Sequence, residues 1–136
     1  MNRLIIFILS GMLLLTEGAR AEIILKDCYN PNSESRFDNN IYEFFYYKID
    51  EKNKTLTQVW SFTEKSWNNE RKFETGSLRN AVNVYKLDYL DKNFAKGSGK
   101  TLHSNANINL TIDLKTRIIT TQFLFDKPTT IYFQCK

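Results

Sequence analysis

The 136-residue sequence contains little histidine and cysteine, and this shortage excludes several kinds of site. It has one histidine, His103, and two cysteines, which are too few donors for a usual zinc site of four His and Cys ligands. The same histidine is the only imidazole base for a serine nucleophile, and no separate acid is specified to orient it. The sequence therefore predicts no metal site, no cofactor and no such catalytic residues.

Long charged and long apolar runs are also missing. The chain has 19 Lys and Arg against 15 Asp and Glu, a net charge of +4, and like charges never form a block. A mild excess spread along the chain favours solubility over a polyanionic partner, so no nucleic-acid partner is expected. The longest apolar run, residues 4–15, is shorter than the roughly 20 residues of a membrane-spanning helix. We expect no transmembrane segment in the mature chain.

The first 21 residues have the order of a secretory signal peptide. Arg3 precedes the apolar run, and small residues end at Ala21, where cleavage is expected. An uncleaved anchor is the alternative. The prediction is a single exported domain of residues 22–136, periplasmic or secreted. The frequent use of Lys, Asn and Ile in the sequence favours the bacterial envelope as the location of the protein.

Two cysteines stand near the two ends of this domain, Cys28 and Cys135. In an oxidising compartment such a pair predicts a disulfide, with free thiols or metal ligands as the alternative. A bridge between the first and last segments suggests that the ends of the fold are neighbours. It would close a long loop and so restrict the unfolded chain.

Alternation of apolar and polar residues is the main structural signal. It is clearest at residues 107–113, 119–125 and 130–135, which short turns separate. Further strands are expected at residues 23–28, 42–49, 55–62 and 82–90. Such a pattern predicts an antiparallel sheet with one face on a core.

The resulting fold prediction is all-β. It is a small antiparallel meander of about seven strands, closed as a barrel or as a tight sandwich. One short helix is expected within residues 63–73, with Ser66 as its N-cap, and a structured loop is the alternative. An internal repeat aligns Asp50 with Asp113, each followed by cations, and we interpret both as turn residues.

Residues 96–104, KGSGKTLHS, resemble the end of a phosphate-binding loop. That motif needs a glycine at position 94, where this chain has Phe94, and it needs a following helix, where this chain alternates. The sequence therefore excludes a nucleotide site. We expect residues 91–107 to form a long connection. Its cations Lys96, Lys100 and His103 are candidates for holding an anion, with a plain solvated connection as the alternative.

The segment IYEFFYYKI, residues 41–49, is apolar on both faces. Alternation places Tyr42, Phe44 and Tyr46 on the face opposite Phe45 and Tyr47. Both faces of such a strand must be covered, either by residues 63–73 of the same domain or by a ligand or partner. The three residues are therefore candidate binding residues, since aromatic side chains are frequent in recognition surfaces.

Together these features predict a non-enzymatic module of the cell envelope that binds a small ligand or an envelope protein. A small periplasmic hydrolase or lyase that uses two carboxylates is the first alternative, because acids distant in sequence can meet in a fold. A purely structural envelope protein is the second.

Overall fold

A computed structural model of the chain describes residues 22–31, 41–68, 78–102 and 105–136. The predicted signal peptide, residues 1–21, lies outside these described residues. Within the four described ranges, no helix is long and apolar enough to cross a membrane.

Eight antiparallel strands form one sheet whose order follows the chain. The strands are β1 (Ile23–Leu25), β2 (Tyr42–Asp50), β3 (Thr55–Phe62), β4 (Asn80–Leu90), β5 (Phe94–Lys100), β6 (Asn107–Asp113), β7 (Ile118–Phe123) and β8 (Thr129–Gln134). Each strand is hydrogen-bonded to the next, so the predicted all-β meander is confirmed, with one strand more than the sequence indicates.

The sheet curls into a half barrel, and its concave face forms the core. Inward side chains from β2, β3 and β4 meet those from β6 and β7 there. The largest of them are almost fully buried: Tyr47, Ile49, Leu56, Tyr85, Ile108, Leu110, Ile112 and Ile119. Of the two forms that the sequence leaves open, the curled single sheet is therefore the one adopted, since no second sheet packs on it in the described ranges.

The first and last segments of the domain meet, and a disulfide joins them. Tyr29 and Gln134 exchange two backbone hydrogen bonds of 2.9 and 2.8 Å. The predicted Cys28–Cys135 disulfide is confirmed, and both cysteines are buried against the core. The bridge spans 107 residues of sequence, so it removes much conformational freedom from the unfolded chain.

The prediction that residues 91–107 form a long solvated connection is wrong. β5 occupies the middle of this stretch and pairs with β4 on one side and β6 on the other. Alternation is hard to see in β5 because two of its inward positions are the glycines Gly97 and Gly99. An apolar side chain at either position would have shown the period.

Both glycines are required by close packing on the concave side of the sheet. A Cβ atom at Gly99 would lie 2.9 Å from Cδ1 of Tyr85. Cβ atoms in proteins essentially never approach another heavy atom so closely. A Cβ atom at Gly97 would lie 3.1 Å from Cδ1 of Leu56. The residues that resemble a phosphate-binding loop therefore leave room for two large buried side chains.

Aspartates hold the short turns of three hairpins. Asp50 and Asp113 each accept a hydrogen bond of 3.0 Å from the N–H three residues later. Lys54 and Arg117, four residues after each aspartate, both have a positive φ, of 55° and 62°. The interpretation of the internal repeat as a repeated turn is thus confirmed. Asp91 accepts from the N–H three residues later in the β4–β5 turn, at 2.7 Å.

A three-residue helix, α1 (Glu64–Ser66), follows β3. Its N-cap is Thr63, whose side chain accepts a hydrogen bond of 3.2 Å from the Ser66 N–H. The prediction that Ser66 caps the helix is therefore wrong by one turn. Trp67 then stacks on Phe62 with ring centroids 6.5 Å apart, so this segment packs at the end of the core.

Substitution of Gly99 by alanine tests the close packing of β5. We expect Gly99→Ala to lower the free energy of unfolding by about 1–3 kcal/mol, because the new methyl group must displace the ring of Tyr85. The matched control is Ser98→Ala, which removes only an exposed hydrogen bond to Asp88 and should cost less than about 1 kcal/mol. Urea denaturation measures both. A Gly99→Ala protein as stable as the wild type would contradict the packing account.

Candidate functional site

The three cations predicted to hold an anion are not gathered in a described loop. Lys96 and Lys100 are exposed residues of β5, and His103 lies outside the described residues. The Lys96 Nζ atom lies 5.9 Å from the ring centroid of Tyr89 on β4. Because β5 pairs with a strand on each side, the amides beside its glycines belong to the sheet ladder. These lysines therefore act as surface cations on a strand.

The aromatic residues of β2 are divided between the two faces of the sheet. A β-bulge between Tyr42 and Phe44 shifts the register. Tyr42 consequently packs against the core rings of Phe45 and Phe62, at centroid distances of 4.9 and 5.0 Å. The prediction that Tyr42 shares a face with Phe44 and Tyr46 is wrong. Phe44 and Tyr46 do lie together on the outer face, with ring centroids 6.3 Å apart.

The segment expected to cover this outer face is described only in part. Trp67 packs on Phe62, which is a core residue. Residues 69–73 of the segment lie outside the described residues. Phe44 remains 47% exposed, so the described part of the segment does not cover it.

A continuous row of apolar side chains crosses the outer face. Tyr46, Val59 and Val82 are direct partners across β2, β3 and β4. The backbone N–H of Leu102, just beyond β5, donates to the side chain of Asn83, which follows Val82 in β4, so Leu102 lies at this end of the row. Three paired outward positions and the exposed Leu102 are thus apolar, where an antiparallel sheet with one solvated face ordinarily carries polar residues.

Two more outward apolar residues extend this row, Phe44 on β2 and Val84 on β4. The exposed fractions are large: 53% for Val82, 59% for Val84 and 66% for Leu102. Contiguous exposed apolar groups of this kind are typical of interaction sites. The apolar face, as we name it, consists of Phe44, Tyr46, Val59, Val82, Val84 and Leu102.

Lysines border the apolar face. Lys48 and Lys100 lie in the next row towards the short turns, on β2 and β5. Lys86 lies one row further, on β4. The ion pairs of Lys48 with Glu22 and of Lys86 with Asp88 are long, at 3.8 and 3.9 Å, and exposed, so solvent screens them. The border therefore offers cations to a partner.

A buried polar row lies on the concave side, next to the apolar row. Asn83 donates to Gln58, and Gln58 donates to the hydroxyl of Tyr47, both at 3.0 Å. The side-chain oxygen of Asn83 also accepts from the backbone N–H of Leu102 at 2.8 Å. This bond fixes Leu102, the second residue after β5, to the sheet. The exposed Leu102 side chain therefore has a defined place in the apolar face.

The sequence predicts Phe44 and Tyr46 as site residues, but not Val59 of β3, Val82 and Val84 of β4, or Leu102. The signal was present, because Val82 and Val84 alternate with Ala81 and Tyr85, so β4 begins with apolar residues on both faces. It is the same signal that singled out β2. For Leu102 no sequence signal existed, since its place depends on the register of β5.

Three of the described acids, Asp50, Asp91 and Asp113, accept hydrogen bonds in turns. Asp50 and Asp113 each accept a hydrogen bond from the backbone N–H three residues later. This bond is the main reason why the pKa of each carboxyl group is lowered. The Tyr89 hydroxyl is the main cause that lowers the pKa of Asp91. A general acid at neutral pH needs the opposite shift. In the described ranges no group of three or more His, Cys, Asp or Glu is placed to hold a metal ion.

The lowered pKa values of the three turn aspartates predict acid sensitivity. Each aspartate has a lower pKa folded than unfolded, so its stabilisation is present above the unfolded value of about 4 and is lost as pH falls through the folded value. We expect the triple variant Asp50→Asn, Asp91→Asn, Asp113→Asn to lose less stability than the wild type between pH 7 and pH 2.5. Urea denaturation at the two pH values measures this. Equal losses of stability in the wild type and the triple variant would contradict the assignment of acid sensitivity to these aspartates. The control is Asp126→Asn, in the exposed β7–β8 connection.

No family model, no curated protein and no solved structure matches the chain. Only the residues and contacts of this chain therefore indicate its function. Its two most informative features are the apolar face with its lysine border and the filled concave core behind it.

Proposed function

We propose that the protein is a non-enzymatic interaction module of the cell envelope, and that its apolar face docks on a partner protein. The observation that carries the proposal is the row of paired outward residues Tyr46, Val59 and Val82, with the exposed Leu102 at its end. Burying such side chains in an interface gives a favourable free energy of about 25 cal/mol for each Å² of apolar surface.

A protein partner is favoured over a small ligand because of how the core is filled. Tyr47, Leu56 and Tyr85 fill the concave face and are at most 2% exposed. Small-molecule sites are usually concave cavities, whereas protein interfaces use exposed apolar and aromatic patches with a polar rim. The exposed patch of this protein is on the convex side, which suits a macromolecular surface.

The lysine border indicates the chemistry of the partner. Lys48, Lys86 and Lys100 surround the side of the apolar face that points to the short turns. A partner that presents apolar side chains flanked by Asp or Glu would match both features, since complementary charge at the rim raises the association rate and selects the orientation.

Export to the envelope is the second part of the proposal. It is supported by the signal-peptide pattern of residues 1–21 and by the disulfide, which persists in oxidising compartments. We place the protein in a bacterial periplasm or outside the cell, where the partner would also be found.

A charge placed in the apolar row tests the docking surface. We expect wild-type protein purified from its own host to carry a bound protein in native mass spectrometry. We expect Val82→Glu to lose that protein, because a carboxylate would be buried in the interface and would repel an acidic partner. The measurement is the fraction of protein recovered as the complex.

The matched control is Tyr132→Glu, which places the same charge at another outward apolar position, on β8, 45% exposed in the wild type. This variant should keep the partner, and both variants should keep the wild-type circular dichroism. A wild-type protein recovered only as a monomer that ignores envelope extracts would contradict the proposal and favour a purely structural role.

A further inference from the structure

A row of polar side chains lies on the concave side of the sheet, directly behind the apolar face. Tyr47, Gln58 and Asn83 are direct cross-strand partners on β2, β3 and β4. All three are buried, with exposed fractions of 0%, 8% and 1%. Buried amides cost stability unless they are hydrogen-bonded, and apolar side chains of similar shape in both partners can be equally stable. Hydrophobic packing alone therefore does not explain this row.

The hydrogen bonds along the row run in one direction. The backbone N–H of Leu102 donates to Asn83 Oδ1 at 2.8 Å, and Asn83 Nδ2 donates to Gln58 Oε1 at 3.0 Å. Gln58 Nε2 then donates to the hydroxyl of Tyr47, also at 3.0 Å. A backbone N–H can only donate, so Asn83 turns its oxygen towards Leu102 and its NH2 group towards Gln58. The row thus ends in an oriented acceptor for Leu102.

Leu102 depends on this acceptor because it lies beyond the end of β5. No other hydrogen bond of Leu102 is present in the described part of the chain. Its backbone is joined to β4 through Asn83, while its side chain is 66% exposed. A side chain on a loose backbone must be ordered when a partner binds, and this ordering lowers the affinity. The bond from Leu102 to Asn83 supplies that order before binding.

We infer that Asn83 is a positioning residue of the apolar face. It holds the backbone of Leu102 and so keeps the Leu102 side chain in place for the partner. Asn83 itself is 1% exposed, so it acts through Leu102 and not by contact with the partner. This inference rests on the proposed function and extends it from the outer face to a buried amide behind that face.

Hydrogen exchange of the free protein tests the positioning step without a partner. We expect the Leu102 amide to exchange about fivefold faster in Asn83→Leu than in the wild type, because one hydrogen bond of roughly 1 kcal/mol is lost. Asn83→Asp should keep the slow exchange, since burial favours the protonated acid, which can accept from Leu102 and donate to Gln58 as the amide does. NMR spectroscopy measures both rates. Unchanged exchange in Asn83→Leu would overturn the inference.

Photo-crosslinking in the host cell, from a photoreactive amino acid at Val84, tests the effect on the partner. We expect Asn83→Leu and Leu102→Ala each to reduce the yield of crosslinked product about fivefold, the scale of one lost interaction. The double variant should show no further loss, because Asn83 acts through Leu102. The control is Ile112→Val, which makes a buried position on β6 smaller outside the polar row and should keep the wild-type yield.

Failure of this inference and failure of the proposed function give different results. A wild-type protein that yields no crosslinked product contradicts the proposed function, and the inference falls with it. A wild-type product that persists at full yield in Asn83→Leu overturns the inference alone. Losses that add in the double variant would also overturn it, because Asn83 would then act independently of Leu102.

Discussion

Tight packing of side chains on the concave face determines which residues each strand turns inward and which it turns outward. The concave face has space for the large side chains of Leu56 and Tyr85 because the nearby strand β5 carries glycines, Gly97 and Gly99, at its inward positions. Because side chains alternate along a strand, each inward position that packing fixes also fixes its outward neighbours. The outer apolar face is therefore set by the same register that fills the core, and Asn83 extends that register to Leu102.

Closure of the sheet supports this packing. The Cys28–Cys135 disulfide and the Tyr29 to Gln134 hydrogen bonds join the first segment to the last, so inward side chains of distant strands are held against one another. In the chain-entropy account a bridge across about 100 residues stabilises a domain by roughly 4 to 5 kcal/mol. For a small domain, whose own core is marginal, that is a large share of the free energy of unfolding.

Much of this fold could be predicted from the sequence, because Ile, Thr and Phe alternate plainly in β6, β7 and β8 and because the two cysteines lie near the ends of the domain. The parts that could not be predicted have physical reasons. Glycine has no side chain to show a period, so β5 was hidden. The bulge before Phe44 depends on the pairing of β2 with β3. The alternation of apolar and polar residues in β2 therefore could not predict that Tyr42 turns inward. Two residues of the apolar face, Phe44 and Tyr46, were found because β2 is apolar on both faces, whereas Leu102 owes its place to a tertiary hydrogen bond.

We propose that the convex side of the sheet, and not its filled concave side, is the recognition surface. Site-specific photo-crosslinking in the host cell tests it most directly, with a photoreactive amino acid introduced at Val84 in one protein and at Tyr132 in another. We expect one discrete crosslinked product from position 84 and none from position 132. Equal products from both positions, or none from position 84, would contradict it.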